Sequence, residues 1–213
     1  NKHAGTFGDA GCFSFYPTKN FTTIEGGMII TNSKSIAEYA RTARSHGLTR
    51  SLADRSSKGK PWDYDIINPG FNYRLDEIRS ALGLNQLKRI NQLNSKRLTA
   101  SKYLTEKFKG IRGITTPEIL TNHQHTYHLY IIRIKNEYGK NRDKVFKELK
   151  KEGIQVSLHY KPLHEFSAYK KLAKIYDKLD NSKEIYKENL SLPMYPGITK
   201  KDLDHILDFF EKN

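Results

Sequence analysis

Lys19 closes the run Phe13-Ser14-Phe15-Tyr16-Pro17-Thr18-Lys19-Asn20, and Glu25-Gly26-Gly27 and the apolar Met28-Ile29-Ile30 follow it closely. Phe13 and Phe15 alternate with Ser14 and Tyr16, the period of a half-buried strand. Pro17 has no N–H to give to a ladder and ends that strand. Met28 to Thr31 predicts a second one. Lys19 is therefore expected on a short turn between two strands, its stem against an apolar wall and its amine near Ser14. Desolvation there favours the neutral, nucleophilic amine that Schiff-base chemistry needs. The competing reading is an ordinary solvated surface lysine.

Other polar residues sit where they could bind. Ser14 has a hydroxyl on the strand leading to Lys19; otherwise it faces solvent or a neighbouring carbonyl. Asn72 precedes a long helical pattern, where its amide can reach a phosphate or cap the helix. Arg74 reads as a residue that positions its loop. Glu25-Gly26-Gly27 lets backbone approach a ligand closely, as any glycine turn does. His159-Tyr160 follows an expected strand and reads equally as a substrate contact or a structural pair. His46, His125, His128 and His164 read as packing or loop residues. No histidines show metal-ligand spacing.

Several blocks carry a resemblance to a known family. Gly5-Thr6-Phe7-Gly8-Asp9, the strand, Lys19-Asn20 and Glu25-Gly26-Gly27 together resemble the cofactor-lysine segment of the pyridoxal-phosphate-dependent sugar aminotransferases, the DegT/DnrJ/EryC1/StrS family. Arg44-Ser45-His46-Gly47, Gly70-Phe71-Asn72-Tyr73-Arg74-Leu75-Asp76, His159-Tyr160-Lys161-Pro162-Leu163-His164 and Ser191-Leu192-Pro193-Met194-Tyr195-Pro196 follow in family order. The resemblance implies an α/β, fold-type I transferase. Residues 1–108 would be the end of the large cofactor domain with an interdomain helix, and 109–213 the small α+β domain. It implies that Lys19 bonds covalently to pyridoxal 5'-phosphate and moves the proton. Ser14 would donate to the cofactor phosphate, and Asn72 to the phosphate held by the partner subunit of a homodimer with shared active sites. His159 and Tyr160 would face a nucleotide sugar.

The implied reaction moves an amino group, from glutamate, to a nucleotide-linked keto sugar. The His159-Tyr160-Lys161-Pro162 variant looks closest to enzymes that aminate C4 of a UDP-linked 4-keto-6-deoxy sugar for surface glycans. Lysine at position 19, rather than histidine, argues against the family's dehydratase branch. The opening Asn1-Lys2-His3-Ala4-Gly5 begins in mid-pattern, so the chain is expected to be the carboxy-terminal half or so of such an enzyme and inactive alone.

The elements that must position these residues read as follows. Asn32 or Ser33 caps a helix with Ile36, Tyr39, Ala40 and Ala43 on one face, and a polar loop covers about 49–62. Pro69-Gly70 turns into a long helix carrying Leu75, Ile78, Leu82, Leu87, Ile90 and Leu93 toward Phe108. Asp76 and Glu77 lie in its first turn, where the dipole favours anions. Strands are expected at 128–134 and 154–158, and helices after Asn141, over 167–176 and after Ser182, the last carrying Ile185 and Leu190. Thr199 with Asp202 predicts a capping box.

The chain has 213 residues, 37% of them hydrophobic, and a formal charge of +14. That balance admits a globular fold and excludes a disordered one. Basic charge raises a second reading, a polyanion- or nucleic-acid-binding protein without catalysis. The lysines are scattered along helical segments such as 144–151 and 170–178, which favours solvated outer faces and no nucleic-acid partner. Cys12, the single cysteine, is expected buried as a small hydrophobe in a reducing, cytoplasmic setting. No apolar stretch approaches membrane-spanning length.

Overall fold

Residues 2–49, 56–57, 62–121, 123–172, 174 and 178–212 are described by the computed structural model. They form two compact units, Asn1–Ile90 and Asn91–Asn213. Most of the expected polar loop at 49–62, and the end of the helix expected to reach Tyr176, lie outside the described residues.

In the first unit β1 (Gly11–Ser14) pairs antiparallel with β2 (Gly27–Ile30), setting Cys12 opposite Ile29 and Ser14 opposite Gly27. The strand expected to run to Tyr16 stops at Ser14, although the Phe15 N–H still reaches the Gly26 carbonyl at 2.9 Å. Helix α1 (Lys34–Ala43) is capped by Ser33, whose side chain accepts the Ile36 N–H. Helix α2 (Glu77–Phe108) begins after Asp76, which accepts the Arg79 N–H at 2.8 Å and the Arg79 guanidinium at 2.7 Å. The backbone N–H of Arg79 is the main cause that holds the Asp76 carboxyl below its ordinary value.

The second unit carries a three-stranded antiparallel sheet in the order β3 (Ile114–Thr115), β4 (Tyr130–Ile134), β5 (Asn189–Leu192). Around it lie α3 (Arg142–Lys151), α4 (Ser167–Leu172), α5 (Asp180–Glu188) and α6 (Lys200–Glu211). Alternation on β4 buries Tyr130, Ile132 and Ile134 against Leu104, Phe108, Val145, Leu149, Leu190, Ile206 and Phe210. Each such side chain, fully removed from water, stabilises the fold by about 1.5–3 kcal/mol before entropy is counted. Burial pushes the Tyr138 hydroxyl up to about 12. The Thr199–Asp202 capping box is formed, and Asn141 caps α3.

Four expectations are corrected. The face of α2 expected to be buried is open at Ile78 (83% exposed) and Leu87; its buried stripe is Ala100, Leu104 and Phe108. The strand expected at 154–158 reduces to one bridge, Ser157 with Ser191, although Ile154 and Val156 alternate into the core. Ser182 is not the cap: it lies inside α5, which starts at Asp180, after Leu179 in the left-handed region, and Leu190 belongs to β5. Cys12 is exposed, as are Phe13 and Ser14; only Gly11 of β1 is buried.

Candidate active site

Lys19 lies half-buried on a loop whose backbone is closed by its own hydrogen bonds. The Lys19 N–H donates to the Tyr16 carbonyl at 3.0 Å, and the Thr23 N–H and Thr22 hydroxyl both donate to the Phe15 carbonyl. The Thr22 hydroxyl also accepts the Ile24 N–H at 2.9 Å. Thr23, 1% exposed, anchors the far end and donates its hydroxyl to the Glu25 carbonyl at 2.8 Å. Ile24, β-branched, takes φ 70, a conformation that costs about 1–3 kcal/mol. The loop is thus held firmly enough to sustain local strain. Phe15 and Phe21 meet edge-on at 4.7 Å, providing an apolar wall within the same loop.

Among the described residues, no hydrogen bond or ion pair commits the Lys19 amine. Ser14 accepts the Tyr16 N–H at 3.4 Å, and no hydrogen bond joins its hydroxyl to Lys19. The donor set suits pyridoxal phosphate: a primary amine able to bond an aldehyde carbon, and a hydroxyl five residues earlier, at the end of β1, able to donate to a phosphate.

Asn72 is placed by a different device. The segment 43–47 and the segment 70–73 cross backbone to backbone. The His46 N–H donates to the Phe71 carbonyl (2.9 Å), Phe71 N–H to the Ala43 carbonyl (2.7 Å) and Tyr73 N–H to the Arg44 carbonyl (2.8 Å). Only glycine fits the crossing. A Cβ at Gly70 would lie 2.2 Å from the Gly47 nitrogen, and one at Gly47 would lie 1.8 Å from the Asn68 oxygen. Asn72 Oδ1 accepts from Arg74 Nε at 2.9 Å, which orients the exposed amide. Arg74 Nη2 also lies 3.5 Å from His46 Nε2, so the arginine links the two crossing segments. From the sequence Gly70 reads as part of the Pro69-Gly70 turn and Gly47 only as a member of its motif block; the close backbone crossing they permit is a contact between distant segments.

In the second unit His159 Nδ1 lies 2.7 Å from Ser191 Oγ, and the His159 and Tyr160 rings meet edge-on at 4.6 Å. Tyr160 is 69% exposed. His159 is thus both held and half-buried.

A cavity of about 930 Å³ in the first unit is lined by Phe13, Gly26, Gly27, Arg44, Tyr73 and Arg74 among others; Phe13, Gly27 and Tyr73 are neighbours in the chain or the sheet of Ser14 and Asn72. Lys19, Ser14 and Asn72 do not line it. The chemistry of the amine, rather than this hollow, therefore marks the candidate site. Among the described residues no group of His, Cys, Asp and Glu could hold a metal ion, and no helix is long and apolar enough to cross a membrane.

Comparison with known proteins follows this geometry. The profile of the DegT/DnrJ/EryC1/StrS aminotransferase family matches residues 1–211. A UDP-4-amino-4,6-dideoxy-N-acetyl-beta-L-altrosamine transaminase of Campylobacter jejuni is 35% identical over 207 residues, covering 97% of this chain and 53% of that protein. Helicobacter pylori PseC, an aminotransferase involved in the biosynthesis of pseudoaminic acid, superposes with a TM-score of 0.86 at 30% identity, covering 100% of this chain and 55% of that one. Spr1654 of Streptococcus pneumoniae in its PLP-form gives a TM-score of 0.84 at 28% identity, covering 100% of this chain and 53% of that one. The chain spans about half the length of the curated relatives it matches.

Proposed function

Because the chain belongs to the DegT/DnrJ/EryC1/StrS aminotransferase family, whose fold-type I members depend on pyridoxal phosphate, we propose that it forms the carboxy-terminal half of a nucleotide-sugar aminotransferase. The donor is glutamate. The acceptor is a nucleotide-linked keto sugar, with a UDP-linked 4-keto-6-deoxy sugar favoured, and the product enters a cell-surface glycan. The span of about half its relatives' length supports assigning turnover to the complete polypeptide rather than to these residues alone.

Pyridoxal phosphate, when bound, supplies the aldehyde that takes up the amino group and the ring that eases loss of the donor's proton. Lys19 would hold the cofactor covalently, and its Nζ would take a proton from the donor carbon and return one, work that needs the uncharged amine. Ser14 donates its hydroxyl to the phosphate. Asn72, oriented by Arg74, donates its amide to the phosphate of the partner subunit, so the active protein is a homodimer. His159 and Tyr160 meet the nucleotide sugar.

The observation that carries this reading is half-buried Lys19, its amine uncommitted among the described residues, on a loop braced at Tyr16 and Thr23. The complete enzyme, supplied with pyridoxal phosphate, glutamate and the UDP-4-keto-6-deoxy sugar, should yield an amino sugar detectable by mass. Lys19→Ala should yield none. Product formation by that variant at the wild-type rate would refute the assignment.

A further inference from the structure

The strand β5, Asn189-Leu190-Ser191-Leu192, is buried at every position, and its polar members both direct hydrogen bonds at one residue. Ser191, 4% exposed, sets Oγ 2.7 Å from His159 Nδ1. Asn189, 3% exposed, donates from Nδ2 to the His159 carbonyl at 2.8 Å. Polar groups buried in an apolar core are costly unless satisfied. Here they grip His159 from ring and backbone at once.

The grip rests on fixed structure. Ser191 is paired on β4 with Ile131, and it exchanges backbone hydrogen bonds with Ser157 at 2.9 and 3.2 Å. Asn189 is anchored by Arg142, whose guanidinium donates to the Asn189 carbonyl at 3.1 Å and to Oδ1 at 3.4 Å. The same guanidinium donates to the Tyr186 carbonyl at 2.8 Å. Arg142 is itself buried, at 6% exposure. A buried chain, Arg142–Asn189–His159–Ser191, thus underlies the exposed Tyr160 ring.

We propose that Ser191 and Asn189 are positioning residues that hold His159, and with it Tyr160, in the orientation that meets the sugar nucleotide. This rests on the functional reading above. A serine hydroxyl donates to an unprotonated Nδ1 and accepts from a protonated one. The ring plane is therefore held in either tautomer, which suits a contact that must keep its aim.

The test is a double-mutant cycle in the complete enzyme, with the UDP-4-keto-6-deoxy sugar as acceptor. Ser191→Ala should raise the acceptor KM about tenfold, the scale of one buried hydrogen bond to an orienting group. The kcat and the glutamate KM should stay within about twofold, since only the acceptor's contact has lost its aim. In a His159→Ala background, Ser191→Ala should add nothing. If the alanine variant does not fold, Ser191→Cys, which keeps the volume and weakens the hydrogen bond, is read in the same cycle. Unchanged acceptor KM, or losses that add in full to those of His159→Ala, would overturn the positioning role alone. A wild-type enzyme that neither binds nor converts the sugar overturns the functional reading, and this role with it, before any variant is made.

Discussion

Tyr16 joins Ser14 to Lys19 through its own peptide groups: its N–H donates to the Ser14 hydroxyl at 3.4 Å, and its carbonyl accepts the Lys19 N–H at 3.0 Å. The hydroxyl at the end of β1 and the backbone of Lys19 on the following loop therefore both bond to one residue's peptide groups. A proline follows directly and holds the chain out of the ladder.

Loss of the Ser14 hydroxyl should weaken cofactor binding without disturbing the loop, since its link to Tyr16 is long. Ser14→Ala is expected to raise the dissociation constant for pyridoxal phosphate about tenfold, the scale of one charge-assisted hydrogen bond. Fluorescence titration of the apo-enzyme reads this, with circular dichroism unchanged.

Gly70→Ala should be the more damaging change, though no side-chain contact is lost. Its Cβ would meet backbone atoms of Gly47 and His46, which cannot rotate away. An overpacking cost of about 1–3 kcal/mol is expected, read as a lower denaturation midpoint. Asn72 would be displaced with the crossing, so cofactor affinity should fall as well.

Much of this arrangement was legible in the residues. Pro17, the Ser33 cap and the Thr199–Asp202 box are local signals, and local hydrogen bonds decide them, whereas the Phe13/Phe15 alternation predicted too much: β1 stops at Ser14 and Phe13 is exposed. Ile114–Thr115 as a strand, and the reduction of 154–158 to one bridge, were not legible, because pairing partners decide them. The α2 stripe misled for a related reason: Ile78 and Leu87 have the spacing of a buried face, but burial depends on what packs there. The grip of Ser191 on His159 spans 32 residues, beyond any periodicity.

Leu104 tests the second unit's core. It is fully buried among Phe108, Tyr130 and Ile132, and Leu104→Ala should cost about 2–5 kcal/mol by transfer and cavity terms together. Chemical denaturation checks it.

Glu188 makes acid stability predictable. Burial alone would raise its carboxyl, but hydrogen bonds from Lys135 and Arg133 hold it below its ordinary value of 4.5. A folded-state value below the unfolded one stabilises the fold fully above about pH 4.5, and that contribution is lost as pH falls through the folded value. Glu188→Gln should therefore be less stable at neutral pH and lose less on acidification. Unfolding midpoints at pH 7 and across the range below 4.5 would show the two proteins converging; parallel curves would contradict it.

The most direct measurement concerns Lys19 itself. Saturate the complete enzyme with pyridoxal phosphate, reduce with borohydride, digest, and locate the pyridoxyl mass by peptide sequencing. The tag is predicted on Lys19, with none retained by Lys19→Ala. A tag on another lysine, or a wild-type protein that retains none, would contradict the account.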